Sequence, residues 1–354
     1  MTVAGLVKNR KHQFGRQSAF GTPVAAVAQY PYKGTPTPDL GWTDRDIDEG
    51  SIDPVAAPIR GAHDLTTSLT DPGVEYNSLP LKLSAIFGDG VIAVGAGDDK
   101  TWTYEPASRT VDAVDVFTYE FGDDVTSDWF QYGDSILESL ELTGPSGLGA
   151  WTSTESWRHG SIASSGSTDL PDSPAVPTAG LTLDPNPALV YLKDTSIFIA
   201  SDYDDIDDAG SQIQKALINV TLRVTVETDQ KRWADGTQSF NVQEYARAKR
   251  MIELVCRFEK TADTVGIGSE SDAWMSDTAV TRFVKVVTES KELIDTGPDV
   301  PYSWFFELPL RYYTRTDEDE GGNAVIVLTG RAFVDDGDFD GVFRTEVVCT
   351  RASI

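Results

Sequence analysis

Asp336-x-Asp338-x-Asp340-Gly341, within "DDGDFDG", is the arrangement in this 354-residue chain with the plainest chemical meaning. Alternate carboxylates followed by Gly open a calcium loop, where they converge on one hard cation. The position that should supply the closing bidentate carboxylate is Val347, with Glu346 one residue early, and strands rather than helices flank the segment. Asp336, Asp338 and Asp340 are therefore expected to form an acidic hairpin tip, and neither a metal nor another cofactor is expected. "DYDDIDDAG", residues 202–210, is denser but worse spaced, and mutual repulsion of its carboxylates predicts a solvated loop. Gly95-x-Gly97-x-x-Lys100 lacks the following helix and the Ser or Thr after Lys that a phosphate loop needs, so it reads as a flexible loop. The three histidines, His12, His63 and His159, accompany no G-x-S-x-G elbow and sit in polar contexts, so they are expected on the surface. Among 56 acidic residues some carboxylate pair is inevitable, and pairing alone singles out no general acid or base. No enzymatic chemistry is expected.

The elements that would position these residues are mostly strands. "ALINVTLRVTVET", residues 216–228, places Val220, Leu222, Val224 and Val226 on one face and Asn219, Thr221, Arg223, Thr225 and Glu227 on the other. That alternation predicts a half-buried antiparallel strand. "WFFELPLRYY", residues 304–313, reads likewise, and Pro309 suggests an edge or a bulge. "NAVIVLTGRAFV" and "VFRTEVVCT" flank the acidic turn and predict a long hairpin. "TWTYE", "FTYEF", "SILESLELT" and "GAWTSTESW" predict four more strands, rich in the Val, Thr and aromatic residues that β surfaces favour. A helix is expected at 79–88, with Pro near its start and Gly at its end. Residues 241–254 read as a helix or, in their second part, a strand. The fold class expected is mainly β: an antiparallel sandwich or partial barrel with a short flanking helix. An extended arm over 1–40 precedes a body over 41–354, and a Ser- and Pro-rich linker near 160–182 marks a division into two β sub-modules or a long exposed loop.

No run of eighteen apolar residues exists and no apolar segment follows the basic start, so neither a membrane span nor a secretory signal is expected. Cys256 and Cys349, in apolar strand-like runs, are expected as reduced core residues. The formal net charge is −27, yet the first forty residues carry Lys8, Arg10, Lys11, Arg16 and Lys33 against Asp39 alone. So acidic a body argues against gripping DNA, which proteins hold by neutralising phosphate with Lys and Arg.

"GRQSAFGTPVAA" resembles the opening of many phage tail tube proteins. "GWTDRDIDEGSIDPVAAPIRG" leads into "AHDLTTSLTDPGVEYNSLPLKLSAIFG", similar to that family's strand, loop, short helix and terminal Gly. "PYSWFFELPLRYYTRTDEDEGGNAVIVLTGRAFVDD" with "VFRTEVV" resembles the closing strands of large tail tube proteins from actinobacterial siphophages. The resemblance implies paired antiparallel sheets, hexameric rings stacked into a tube that conducts viral DNA, and residence in the virion tail after assembly in the host cytoplasm. A ring of three duplicated units is the alternative. Implied partners are further copies of the chain, a tape measure protein, a tail terminator and baseplate proteins, with DNA passing through unbound. It also implies an arm reaching the next ring through Lys8, Arg10, Lys11, Phe14, Arg16, Phe20 and Tyr30. Alternation adds Glu138, Glu141, Glu227 and Asp229 as candidates for an acidic lumen that would not retain DNA. A non-stacking terminator, baseplate or decoration protein is the nearest alternative, and a calcium-dependent β-sandwich binding module the next.

Overall fold

A computed structural model describes residues 10–39, 42–43, 59–60, 62, 64–88, 90–95, 97–106, 114–123, 128–147, 149–164, 178–213, 216–232, 242, 244–261, 281–296, 299–320, 322–335, 337 and 339–354. The first strands are β1 (Arg10–Arg16), β2 (Ala28–Tyr30), β3 (Lys33–Asp39), β4 (Trp42–Thr43), β5 (Ile59–Arg60) and β6 (Asp64–Asp71). After helix α1 (Leu79–Phe87) come β7 (Val91–Val94), β8 (Lys100–Tyr104), β9 (Phe117–Asp123), β10 (Asp128–Gly144), β11 (Thr152–His159) and β12 (Ser161–Ser164). The chain continues through β13 (Thr195–Ala200), β14 (Gln212–Ile213), β15 (Leu217–Lys231) and β16 (Glu244–Glu259). It ends with β17 (Arg282–Thr296), β18 (Asp299–Glu320), β19 (Asn323–Ala332) and β20 (Arg344–Cys349).

The fold is mainly β, and all of these pairings are antiparallel. The smaller sheet runs β2-β1-β9-β10-β12. The larger runs β3-β6-β11-β10-β15-β16-β19-β18-β17-β13-β14. From the first part of β18 a branch leads through β20 and β8 to β7. Among the described residues no pairing closes this network into a barrel. Strand β10 belongs to both sheets: Asp128–Gly133 pair with β9 and β12, and Ile136–Gly144 pair with β11 and β15. It turns the corner at Asp134, whose φ of 51° is in the left-handed region. A strand that changes sheets needs such an irregularity. Asp134 is held there by the Gly21 N–H, which donates to its Oδ1 at 2.6 Å, and by Gln17.

The two layers meet where Phe14 and Phe117 of the small sheet contact Trp157 of the large one, at centroid distances of 4.9 and 5.9 Å. The helix at 79–88 forms as expected, with Pro80 in its first turn and Gly88 closing it at φ 98°. All nine residues of α1 are buried, Lys82 and Ser84 included, so it is a core element. One cluster of buried side chains extends from Phe14 to Cys349. Residues on both sides of the 160–182 segment therefore share one core and the β10–β15 ladder; residues 165–177 themselves lie outside the described residues.

Several expectations are corrected. Residues 10–39 are not a free arm: β1 pairs with both β2 and β9, and β3 with β6. The basic arm finds its partner within its own acidic body. Residues 244–259 form a strand throughout, because β15 on one side and β19 on the other bury Ile252, Leu254, Cys256 and Phe258. The hairpin across "DDGDFDG" is absent. Strands β19 and β20 lie end to end along the same side of β18, and residues 333–343 loop out between them. Pro309 sits on the long interior strand β18, not on an edge. Its missing N–H costs little there, since the neighbour on that side changes from β20 at Glu307 to β19 at Leu310. Both cysteines are buried free thiols, and burial raises their pKa values, that of Cys349 to about 11.

Candidate functional site

Two surfaces offer themselves for function: the outer face of the large sheet and its free edges. On the outer face the alternation of β15 puts Arg223, Thr225 and Glu227 in solvent while Val220, Leu222, Val224 and Val226 face the core. Neighbouring strands place like positions beside them. In one row Glu141, Arg223, Glu253 and Arg331 lie opposite one another across four strands. Arg223 Nε donates to Glu141 Oε2 at 2.8 Å and its Nη1 to Glu253 Oε1 at 3.2 Å. In an adjacent row Thr143 and Thr221 exchange a hydroxyl contact at 3.2 Å. Opposite charges directly across a ladder attract, which is why the row alternates in sign.

The four acidic residues singled out by alternation gather on or beside this face. Glu138 occupies a bulge in β10 and accepts from Arg158 Nε at 2.7 Å and from the Thr228 hydroxyl. Glu227 is exposed opposite Lys249, and Asp229 is exposed opposite Ala246. Glu227 and Asp229 are exposed on a surface that also carries paired charges and hydroxyls.

The residues assigned to inter-ring contact are placed otherwise. Phe14 and Tyr30 are buried in the core, and Phe20 packs half-buried against Tyr245 at 5.7 Å. Arg16 pairs with Asp115 at 2.7 Å. Arg10 donates to Thr35 Oγ1 at 2.8 Å and lies over the Phe121 ring, while Lys11 is half-buried within β1. Lys8 lies outside the described residues. A reach to a neighbour is thus overturned for Phe14 and Tyr30, because burying those rings in cis already satisfies the arm.

The edges differ sharply. Among the described residues β3 pairs only with β6 and carries Pro36 and Pro38. Among the described residues β7 pairs only with β8; it has neither Pro nor charge and exposes Val91 at 72%, Val94 at 70% and Ile92 at 40%. Gly95 turns the chain back from β7 towards β8; its N–H donates to the Asp99 carbonyl at 3.1 Å, and Lys100 donates to the carbonyls of Asp98 and Asp99. A phosphate cradle needs free N–H groups, so the "GAGDD" turn is a hairpin tip.

Asp340 is exposed with φ 49°, and Asp336 and Asp338 lie outside the described residues. The Asp335 carboxylate there accepts the N–H groups of Gly337 and Phe339, and a backbone bridge from Asp335 to Gly341 closes the turn. Among the described residues no group of three His, Cys, Asp or Glu side chains is placed to hold a metal. The 202–210 loop is anchored rather than wholly solvated. Ile206 is buried, Tyr203 donates to Glu307 at 3.0 Å, and Lys285 joins Asp207 to Glu307.

Surface placement is wrong for two histidines. His12 and His159 are buried, and His63 lies outside the described residues. His159 Nδ1 is 2.7 Å from Ser135 Oγ, and its Nε2 is 2.8 Å from Thr67 Oγ1. Burial, reinforced by Arg158, lowers its pKa to about 3; burial with Arg10 lowers that of His12 to about 4. The Ser135–His159 contact resembles a nucleophile with its base, but both groups are enclosed and no carboxylate orients the ring. A second buried centre, Lys82 with Asp71 and Glu155, also escaped expectation. Its trace in the sequence is phase: Asp71 and Glu155 fall on the inward positions of alternating strands, and Lys82 interrupts "LPLKLSAIF".

No helix among the described residues is long and apolar enough to cross a membrane. Compared with known proteins, the chain matches no family model and no curated sequence.

Proposed function

We propose that this chain is a structural subunit that assembles with copies of itself, as the tail tube subunit of a siphophage, into stacked rings that conduct DNA. The observation that carries the reading is the open antiparallel network ending in the bare apolar edge Val91–Val94. A flat, uncharged edge is an aggregation hazard in a monomer and a joint in a closed ring. The occupant proposed for it is a strand of a second copy, in keeping with the homomeric rings implied by the segment order from "GRQSAFGTPVAA" to "VFRTEVV".

The outer face of the large sheet suits a channel wall. Arg158 and Arg223 are engaged by Glu138 and Glu141, so their charge is not free for phosphate, while Glu227 and Asp229 remain exposed. Arg158 and Arg223 would thus offer passing DNA little free positive charge. In this reading the chain is no enzyme, its further partners are a tape measure protein, a terminator and baseplate proteins, and it resides in the virion.

Negative-stain electron microscopy of the purified chain over a concentration series tests the proposal. Stacked rings with a central channel are expected. Rings that never stack would transfer the reading to a terminator or baseplate role. Monomers at every concentration, also in the presence of a tape measure protein as template, would overturn it.

A further inference from the structure

Asp71 ends the inward series Leu65, Thr67 and Leu69 of β6, and Glu155 stands inward between Ser153 and Trp157 on β11. Lys82 comes from the middle of α1. All three side chains have no exposure to solvent. Lys82 Nζ lies 2.6 Å from Glu155 Oε1 and 3.2 Å from Asp71 Oδ2. It also donates to the Tyr32 hydroxyl at 2.8 Å and to Ser153 Oγ at 3.1 Å. Glu155 Oε2 accepts the Trp157 Nε1–H at 2.9 Å, and Ser153 Oγ donates to its Oε1 at 3.0 Å. Asp71 Oδ1 accepts the Gly73 N–H at 3.0 Å, whereas Oδ2 makes no hydrogen bond.

One ammonium between two carboxylates leaves a surplus negative charge away from water, which is costly. The neutral form of the site holds one proton on its carboxyl groups. Asp71 Oδ2, which accepts no hydrogen bond, is the oxygen best placed to carry it. An amine, a carboxylic acid and a carboxylate base are then held within contact distance in a dry pocket walled by Tyr32 and Trp157. Pre-orientation of reacting groups removes a large part of the barrier to joining them. Burial disfavours the ammonium, yet its pKa is raised, with the Glu155 carboxylate the largest opposing cause, so a proton must leave Nζ before it can act. Glu155 is in direct contact to take it.

We propose that Lys82 and Asp71 are joined by an intramolecular isopeptide bond, with Glu155 as the catalytic proton carrier. Glu155 takes one proton from the Lys82 ammonium. The freed lone pair of Nζ attacks Asp71 Cγ, and the Gly73 N–H stabilises the negative charge that develops on Oδ1. Glu155 passes its proton to the Oδ2 hydroxyl and takes a second one from Nζ, the Cγ–Oδ2 bond breaks, and water leaves. The products are a neutral amide, one water and a protonated Glu155, so protons and charge balance and no oxidant or co-reactant is required. The bond ties the end of β6 to α1 and removes the buried ion pair.

Mass spectrometry of the purified full chain is the test, read both intact under denaturing conditions and after trypsin. The expected mass is one water below that of the sequence. Trypsin should fail to cut after Lys82, leaving residues 61–100 as one peptide that carries the missing water. Resistance at Lys82 distinguishes the cross-link from dehydration at another aspartate. Full sequence mass with normal cleavage after Lys82 would overturn the proposal, and this reading needs no variant to fold. Glu155→Gln and Asp71→Ala should each restore the lost water and the cleavage. Persistent water loss in Glu155→Gln would remove Glu155 from the chemistry.

Discussion

Strands β3 and β7 both end the sheet network, but the molecule treats them in opposite ways. Two prolines interrupt the outer side of β3, and Lys33 and Asp39 stand at its ends. The strands around it are anchored to the core by Phe14, Tyr30 and Tyr32. Strand β7 hangs on β8 alone, with every residue exposed and no Pro or charge to deter pairing. An unguarded edge persists in a soluble protein only where pairing is wanted or tolerated. The comparison teaches that residues 10–39 are part of the body, whereas β7 is an edge left bare.

The strongest way to break this comparison is to delete residues 1–35. If the segment is structural, the truncated chain should lose cooperative melting in near-ultraviolet circular dichroism. Truncating a buried Phe such as Phe14 to Ala alone typically costs about 3–5 kcal/mol, and the deletion also removes Tyr30 and two strands. A truncated chain that melts like the intact one would make the segment an appendage after all.

Acid should loosen the anchored side next. His12 on β1 and His159 on β11 are neutral when folded, with pKa values lowered to about 4 and about 3. Both lie below the unfolded value of about 6.5, so the unfolded chain binds more protons between those limits. Stability is therefore full above pH 6.5 and falls as pH drops towards 4 and 3, by on the order of 3 kcal/mol per histidine. Denaturant melts of His159→Gln against the intact chain check the slope; an unchanged pH dependence would remove this histidine from the account.

Charges on β7 test the other side. Val91→Lys with Val94→Lys should abolish rings in micrographs while shifting stability by no more than about 0.5 kcal/mol, since both side chains already face water. Rings that survive would place the joint on another strand. The smallest effect is expected from Pro36→Val with Pro38→Val: a near-native melt, with extra association visible in sedimentation velocity. No added association would mean that the prolines do not guard β3.

The strands of strong alternation were legible before any coordinates, as Val220, Leu222, Val224 and Val226 show, and so was α1, bracketed by Pro80 and Gly88. Residues 241–254 read ambiguously because "EYARAKR" suits a helix in isolation. The ladder to β15 runs along these residues and overrode that preference, and β19 adds a second ladder from Glu253 onward. Of the candidate surface, Glu138, Glu141, Glu227 and Asp229 were found by phase, but their partners Arg158, Arg223 and Lys249 come from strands distant in sequence. The "DDGDFDG" hairpin failed for a similar reason: β19 and β20 pair with successive parts of β18, a strand earlier in the chain, rather than with each other.

By itself the sequence determined the β class, helix α1 and the strands of clearest pattern, β8–β11, β15 and β18–β20, because burial of one face imposes a period that local residues display. It also settled the reduced, buried state expected of Cys256 and Cys349. Only the tertiary structure decided that residues 10–39 contribute strands to the body, that His12 and His159 are enclosed, and that Asp71, Lys82 and Glu155 converge. Those outcomes depend on which elements meet across long stretches of chain, and a periodic pattern specifies the face a residue presents without specifying what lies opposite it.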